Sequence, residues 1–387
     1  MTDSQPFGTS DKYKEDELFG TVWQKDKEGM SFKKEIKGRF CDRLFTKFEV
    51  NATGDVWLCC PSWLPYRIGN LFKNSVEEIW NSDQAMELRN QVNTDDWKYC
   101  QHEFCPLIAS DTLPTHEEVL SKPVGKYVKS KSTYVDELPS FINFCNDASC
   151  NMQCPSCRVH FISNVSGEKY KKSKFLNDKL VEFFLTEPTS RDFIINVTGS
   201  GDPFGSKIFR DMLIGIDGKN FPNLKVNLTT NAVMFTPKIW NLIAGIHKNL
   251  ASIEISYDAG TKHTYETKTR IGGKWDLLLD NCKHLDAQVA NFPNIRVFYQ
   301  FVVQKDNYKE MAQYVELILK NYPNAQNIRF QLVSDWGTWD KKTFESNAVW
   351  KETHPEYNKF LSCLKDPIFK HPKVHLGNLT NHYKLAN

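Results

Sequence analysis

The sequence predicts an α/β fold, an open or partial (β/α)6 barrel with a small cysteine-rich α+β domain ahead of it, and three observations carry that reading. First, β-branched apolar runs recur at 140–145, 193–198, 224–229, 252–257, 295–303 and 327–333. Helix-like stretches separate them, and strands spaced by helices mean βα units and a parallel sheet. Second, six units in roughly 200 residues fall short of the ~250 typical of a closed eight-stranded barrel. Third, nine of the eleven cysteines crowd between Cys41 and Cys157, mostly ahead of the βα series.

The helices announce themselves by apolar residues at 3.6-residue spacing. Ile239, Trp240, Ile243 and Ile246 share one face, and Trp275, Leu278, Leu279, Cys282 and Leu285 another. Met311, Val315, Ile318 and Leu319 give a third. Residues 1–35 are polar and read as a mobile segment, apart from a short patch around Phe19 to Trp23. The cysteine-rich domain spans 36–106, a linker rich in Ser, Thr, Lys and Pro spans 107–138, and the βα series occupies 139–335. A helical extension and tail, 336–387, closes the chain and is expected to shape the mouth of the barrel.

Composition narrows the function classes. The 387 residues are 40% hydrophobic and 25% charged, ordinary for a globular protein. A formal net charge of +2 argues for neither nucleic acid nor anionic membrane as partner. The first residues carry acids early and no apolar core of signal-peptide length, and no window approaches the ~18 apolar residues of a membrane span. A cytoplasmic location is therefore expected, where cysteines bind metal or clusters more often than they form disulfides.

The first strand of the series runs into the loop Asn146 to Arg158, which reads NDASCNMQCPSCR. Here Cys150, Cys154 and Cys157 form C-x3-C-x2-C. Three thiolates on one loop can hold three irons of a 4Fe-4S cubane and leave the fourth iron open to a chelating ligand. Zinc is the alternative, with His160 or Cys145 as fourth ligand, although structural zinc usually sits between paired C-x2-C knuckles. A purely packing role does not explain three thiols so close in a loop.

This pattern, just after the first strand of a βα series, resembles the signature of radical S-adenosylmethionine (SAM) enzymes. The resemblance implies a TIM-like radical SAM barrel whose three cysteines bind a 4Fe-4S cluster and whose open iron takes the amino and carboxylate groups of SAM. One-electron reduction would cleave SAM to methionine and a 5′-deoxyadenosyl radical, which abstracts hydrogen from substrate. Ser156 stands where the family usually has an aromatic residue near adenine. Thr198-Gly199-Ser200-Gly201-Asp202-Pro203 is similar to the Gly-Gly-Glu-Pro stretch that meets the methionine amino group, with Asp202 in place of Glu. Read alone, it is simply a turn. Leu228-Thr229-Thr230-Asn231-Ala232 resembles Thr-Asn-Gly, and Ser256-Tyr257-Asp258 resembles the Ser-x-Asp strand with its downstream Arg270-Ile271-Gly272. On the resemblance, Ser156, Ser200, Gly201, Asp202, Asn231, Ser256, Asp258 and Arg270 line the SAM site. Ser256 would meet the ribose and Arg270 the carboxylate.

The segment Cys41 to Cys105 resembles the SPASM/twitch auxiliary-cluster module. The match rests on Cys41, on Gly54 five residues before Cys59, on the Ile68–Leu71 turn and on the Glu78–Trp80 helix. It implies that Cys41, Cys59, Cys100 and Cys105 hold a second 4Fe-4S cluster, with zinc as the structural alternative and Cys60 as a rival to Cys59. The module normally follows the barrel, so this order resembles an N-terminal twitch variant. Cys60 and Cys145 are either hydrogen donors to a product radical or small buried hydrophobes. Cys282 and Cys363 read as packing, and His371, His375 and His382 as surface residues. The implied activity is hydrogen abstraction from an organic substrate, either a peptide or protein side chain or a sugar or other small molecule. Its electrons would come from a reductant such as flavodoxin or ferredoxin. The contrasting function is a non-catalytic, zinc- or cluster-stabilised binding scaffold.

Overall fold

The computed structural model describes residues 36–102, 105–197, 199–335 and 338–387. The expected mobile segment 1–35 and Thr198 lie outside the described residues. Ten strands are named here: β1 (Lys47–Asn51), β2 (Asp55–Trp57), β3 (Gly69–Asn70), β4 (Phe141–Cys145), β5 (Phe193–Val197), β6 (Leu224–Thr230), β7 (Leu250–Ser256), β8 (Arg296–Val303), β9 (Asn327–Leu332) and β10 (Val374–His375). They form one sheet in the order β10-β9-β8-β7-β6-β5-β4-β1-β2-β3. The six strands expected from the apolar runs are β4 to β9, each parallel to the next.

The sheet is open and does not close into a barrel. Where a further βα strand would follow β4 outward, β1 pairs with it in parallel, Glu49 opposite Asn143 and Asn51 opposite Cys145. The antiparallel strands β2 and β3 then extend that side, and the two-residue β10 ends the other. The cysteine-rich segment is therefore built into the main sheet through β1 rather than docked on it through a tether. Its β1–β2 turn needs Gly54, whose φ of 77° is the left-handed region that glycine enters without penalty. Helix Val76–Trp80 starts with a capping box, Glu78 N–H donating to Ser75 Oγ and Ser75 N–H to Glu78 Oε2.

The stretch 107–138, expected as a surface linker, is folded. It carries the short helices His116–Val119 and Gly125–Ser130 and buries Leu113, Val119, Val124, Tyr127 and Val135. Tyr127 stacks on Phe45 with ring centres 5.4 Å apart. Fully buried Arg89 ties the segment down, donating to the carbonyls of Leu44, Trp80 and Thr133 and to Asn81 Oδ1. The polar composition hid this because the apolar residues are spaced singly.

Strand alternation splits the sheet into two unlike faces. Val226, Leu228, Ile253, Ile255, Tyr299, Phe301 and Phe330 are buried on one face. Helices pack there: Tyr299 stacks on Tyr322, and Phe301 meets Tyr314 of helix Met311–Asn321. The other face is polar and mostly half-buried. One register level on it reads Glu49, Asn143, Asn196, Asn227, Ser252 and Arg296 across six strands.

The C-terminal residues run along β9: Leu332 N–H donates to Asn378 Oδ1, and Phe369 packs on Phe330. His375 is exposed, but His382, expected on the surface, is half-buried between Tyr357 and Phe360. Cys282 is fully buried and Cys363 half-buried against the core. No helix among the described residues is long and apolar enough to cross a membrane.

Candidate metal centre

The cysteine loop leaves the C-terminal end of β4 and is held by buried side chains. Asp147 is its anchor: Oδ1 accepts from Ser149 N–H, Ser149 Oγ and Asn164 Nδ2, and Oδ2 accepts from Ser206 Oγ. Cys150 N–H donates to Ile162 O, and Cys157 N–H to Cys154 O. Cys150 and Cys154 are buried and Cys157 is half-buried.

Each of the three thiols has one side-chain N–H donor. Asn231 Nδ2 lies 3.7 Å from Cys150 Sγ, Arg270 Nη1 3.5 Å from Cys154 Sγ, and Arg158 Nη2 3.5 Å from Cys157 Sγ. Burial pushes the Cys150 thiol up to about 12, with the Asp202 charge adding to it. Burial likewise raises Cys154, against the pull of Arg270. Thiols so placed ligate only when a metal displaces their protons, and neighbouring guanidiniums favour the thiolates that result.

Arg270 comes from the loop after β7. Its Nη2 pairs with Asp258 Oδ2 at 2.5 Å, and Asp258, at φ 57°, accepts Val302 N–H on its other oxygen. Burial works against the guanidinium, but Asp258 and Cys154 hold its pKa above the ordinary arginine value. Its Nε is buried and has no hydrogen-bond partner. A buried, charged donor without a partner is costly unless something anionic meets it.

Gly201 and Asp202 form the wall behind the loop. A Cβ at Gly201 would stand 2.5 Å from Ser149 O and 2.8 Å from Asp147 O, so only glycine allows this approach. Asp202, almost fully buried, accepts Phe204 and Gly205 N–H on Oδ1 and Thr230 Oγ1 and Asn231 N–H on Oδ2. Those four donors use the roughly four lone-pair sites of a carboxylate. Asp202 thus joins the loops after β5 and β6. Ser200 Oγ donates to Cys145 O, and Ser156 sits half-buried between the second and third cysteines. Ser256 is half-buried at the end of β7, on the polar face opposite Gln300.

Sequence reading missed Asp147 and Arg158. The first lay in view as Asp-x-Ser, a turn-forming pattern, and the second as a cation next to the third cysteine. Arg158 also donates to Ala148 O and Ser200 O, so it ties the loop to the wall.

In the N-terminal segment, Cys59 and Cys105 are buried and Cys41 and Cys100 half-buried. They feel one another: Cys100 is raised well above the usual thiol range by burial and then by Cys41, Cys59 and Cys105. Arg43 sits beside Cys59 and under the influence of Cys41 and Cys105. Gln91 Nε2 lies 3.7 Å from Cys100 Sγ. Cys60 shares Glu49 and Lys47 as neighbours with Cys59, but it is among the influences on neither Cys41 nor Cys100. Burial and then Glu49 push it up to about 12, and burial and Glu49 also raise Cys145. Glu49 pairs with Lys47 and accepts from Asn143 Nδ2, which in turn accepts from Asn196 through Oδ1.

Among the described residues, no three His, Cys, Asp or Glu side chains are drawn together as the shell of a single ion. The chemistry of the donor sets suits iron–sulfur clusters, in which each iron takes its own thiolate: three thiols with a donor apiece on one loop, four sharing one field in the N-terminal segment. Residues 41–106 match the SPASM family, described as an iron–sulfur cluster-binding domain. The four grouped cysteines all fall within the match. No protein of curated function matches the chain.

Proposed function

We propose that this chain is a radical SAM enzyme with an auxiliary cluster held by Cys41, Cys59, Cys100 and Cys105. The observation that carries the reading is the set of three thiols at the C-terminal end of a parallel sheet, each with its own N–H donor, next to Arg270 with its unpartnered Nε. Active sites of β/α folds gather at that end. The SPASM match upstream supports the same chemistry.

A 4Fe-4S cluster on Cys150, Cys154 and Cys157, with SAM, would supply one-electron reductive cleavage to a 5′-deoxyadenosyl radical. The chain's own residues bind and orient. Arg158, Arg270 and Asn231 donate to the ligating sulfurs. Arg270 Nε would meet the carboxylate of SAM, and Asp258 keeps the guanidinium charged and aimed. Asp202 acts one step back, fixing Asn231 relative to the loop. Ser256, beside Gln300 on the polar face, is within the same strand-end crescent as Asp258 and serves the ribose.

The substrate lies along the polar sheet face. Asn143 is buried and bonded to Glu49 and Asn196, but half-buried Asn196 and Asn227 keep an amide oxygen and an amide NH2 respectively outside such bonds, which suits the amides of a peptide. The test is anaerobic reconstitution with iron and sulfide, followed by assay for 5′-deoxyadenosine. About eight iron per chain and reductant-dependent release of 5′-deoxyadenosine are expected. Stoichiometric zinc without labile sulfide, and no SAM cleavage, would leave a binding scaffold.

A further inference from the structure

We infer that the loop after the third cysteine, together with the start of helix Gly167–Leu185, is the docking surface for a small acidic one-electron carrier protein. The inference rests on the radical SAM reading above and adds where the electron enters.

The loop exposes three large apolar side chains within seven residues: Val159 at 60%, Phe161 at 57% and Val165 at 56%. Ile271, also exposed, is tied to the same loop through Gln153, whose N–H donates to Ile271 O and whose Nε2 donates to Val159 O. Clustered exposure of this kind marks an interaction site. The patch is wired to the cysteine loop and not loosely hung from it. Gln153 Nε2 donates to Val159 O, Cys150 N–H to Ile162 O, Asn164 N–H to Ser149 Oγ and Asn164 Nδ2 to Asp147 Oδ1. Val159 is two residues from Cys157, the least buried of the three thiols. A protein seated on Phe161 therefore rests on chain that is hydrogen-bonded directly to the cysteine loop.

Charge selects the partner. Lys169, Lys171 and Lys172 are exposed on the first two turns of the helix beside a single acid, Glu168, and none of the three forms an ion pair among the described residues, whereas Lys174 pairs with Asp178. His160 is exposed within the loop itself. Exposed lysines that follow an apolar patch in the chain, two of them (Lys169 and Lys172) on one helix face, complement an acidic carrier with an apolar contact patch, and such charges act mainly on association rate and orientation. The chain as a whole has a net charge of only +2, so this cluster is a local feature and not a share of a global field. In the step served, the carrier loses one electron and the cluster gains it; no atoms move.

The test uses reconstituted holoenzyme, wild type against K169E/K171E/K172E and against F161S, with an acidic flavodoxin as probe. All four positions are exposed, so the fold should hold, and iron content checks it. Direct titration of flavodoxin should show binding weakened on the order of tenfold or more in the triple variant, with loss of the wild type's salt dependence. Flavodoxin-driven release of 5′-deoxyadenosine should fall in parallel while dithionite-driven release stays unchanged. Wild-type binding and wild-type flavodoxin-driven turnover in both variants would overturn the surface. So would loss only of affinity for anionic vesicles or RNA. Absence of dithionite-driven cleavage in the wild type would instead defeat the radical SAM reading, and the titration would still judge the surface.

Discussion

The two thiol sites are built in opposite ways. Cys150, Cys154 and Cys157 sit within eight residues of one loop, so backbone turns alone bring them near each other. Cys41, Cys59, Cys100 and Cys105 span 65 residues and come into one electrostatic field only through the fold of β1, β2 and the helices of the segment. The first site is local, braced by Asp147 and Arg158 of the loop itself and from outside by Asp202. The second is the product of tertiary structure. A local motif can be recognised from spacing, but its bracing cannot. A dispersed site needs the fold to say even which cysteine belongs.

The largest effect that would test this contrast is loss of the loop site. Replacing Cys150, Cys154 and Cys157 together with Ala should abolish 5′-deoxyadenosine formation and leave about four iron per chain in the other site. Loss of all iron would mean that the two sites assemble as one, which their separate wiring does not predict.

Next comes the dispersed site, where adjacent cysteines should behave differently. Cys59→Ala should lower iron and sulfide by about half, whereas Cys60→Ala should leave them at the wild-type level. The basis is that Cys41 and Cys100 both feel Cys59, whereas Cys60 is among the influences on neither, although Glu49 and Lys47 act on both Cys59 and Cys60. Equal loss of iron in both variants would erase the distinction.

That pair also shows where the sequence stops being legible. The Gly-x4-Cys spacing favours Cys59 but cannot say which way each side chain turns, since both cysteines lie past the end of β2, with Cys59 in a bend where no strand alternation fixes their directions. By contrast β4 to β9 are plain in the sequence, because long β-branched runs between helical patterns have few other solutions. The two-residue strands β3 and β10 carry no such signal. The parallel β1–β4 pairing, between strands about 90 residues apart, is likewise invisible to local pattern. At the site, motif order pointed to Asp202, Asn231, Asp258 and Arg270. The hydrogen bonds that saturate Asp202 needed coordinates, as did the brace through Arg158.

A smaller effect should follow from Arg270→Ala. Loss of a charge-assisted hydrogen bond to the SAM carboxylate contributes on the order of 1.5–3 kcal/mol, or roughly ten- to over a hundred-fold in affinity. The substitution also strands Asp258, so Arg270→Lys is the companion: it keeps the charge for Asp258 but lacks the planar fork. Equilibrium binding of SAM to the reconstituted protein measures both. Unchanged affinity in the Ala variant with an intact cluster would move the carboxylate contact elsewhere, and the Nε of Arg270 would need another partner.

The smallest effect expected is on stability, from Asp202→Asn, and it isolates the bracing that distinguishes the loop site. The carboxylate now receives two donors on each oxygen, linking the turn at Phe204 and Gly205 to Thr230 and Asn231. An amide has one oxygen, so whichever way it turns, its NH2 confronts two donors that lose their acceptor. Leaving buried donors unmet costs about 1–3 kcal/mol, and the near-isosteric exchange adds little packing strain. Denaturant unfolding of the apoprotein should show a loss of that size. Asn231 should also lose its fixed position beside Cys150, so iron in the loop site should become easier to strip by chelator while iron held by Cys41, Cys59, Cys100 and Cys105 keeps its wild-type rate. An Asn variant as stable as the wild type, with both iron pools unchanged, would show that the wall behind the loop does not depend on this carboxylate. In that case the rigidity of the cysteine loop would rest on Asp147 and Arg158 alone.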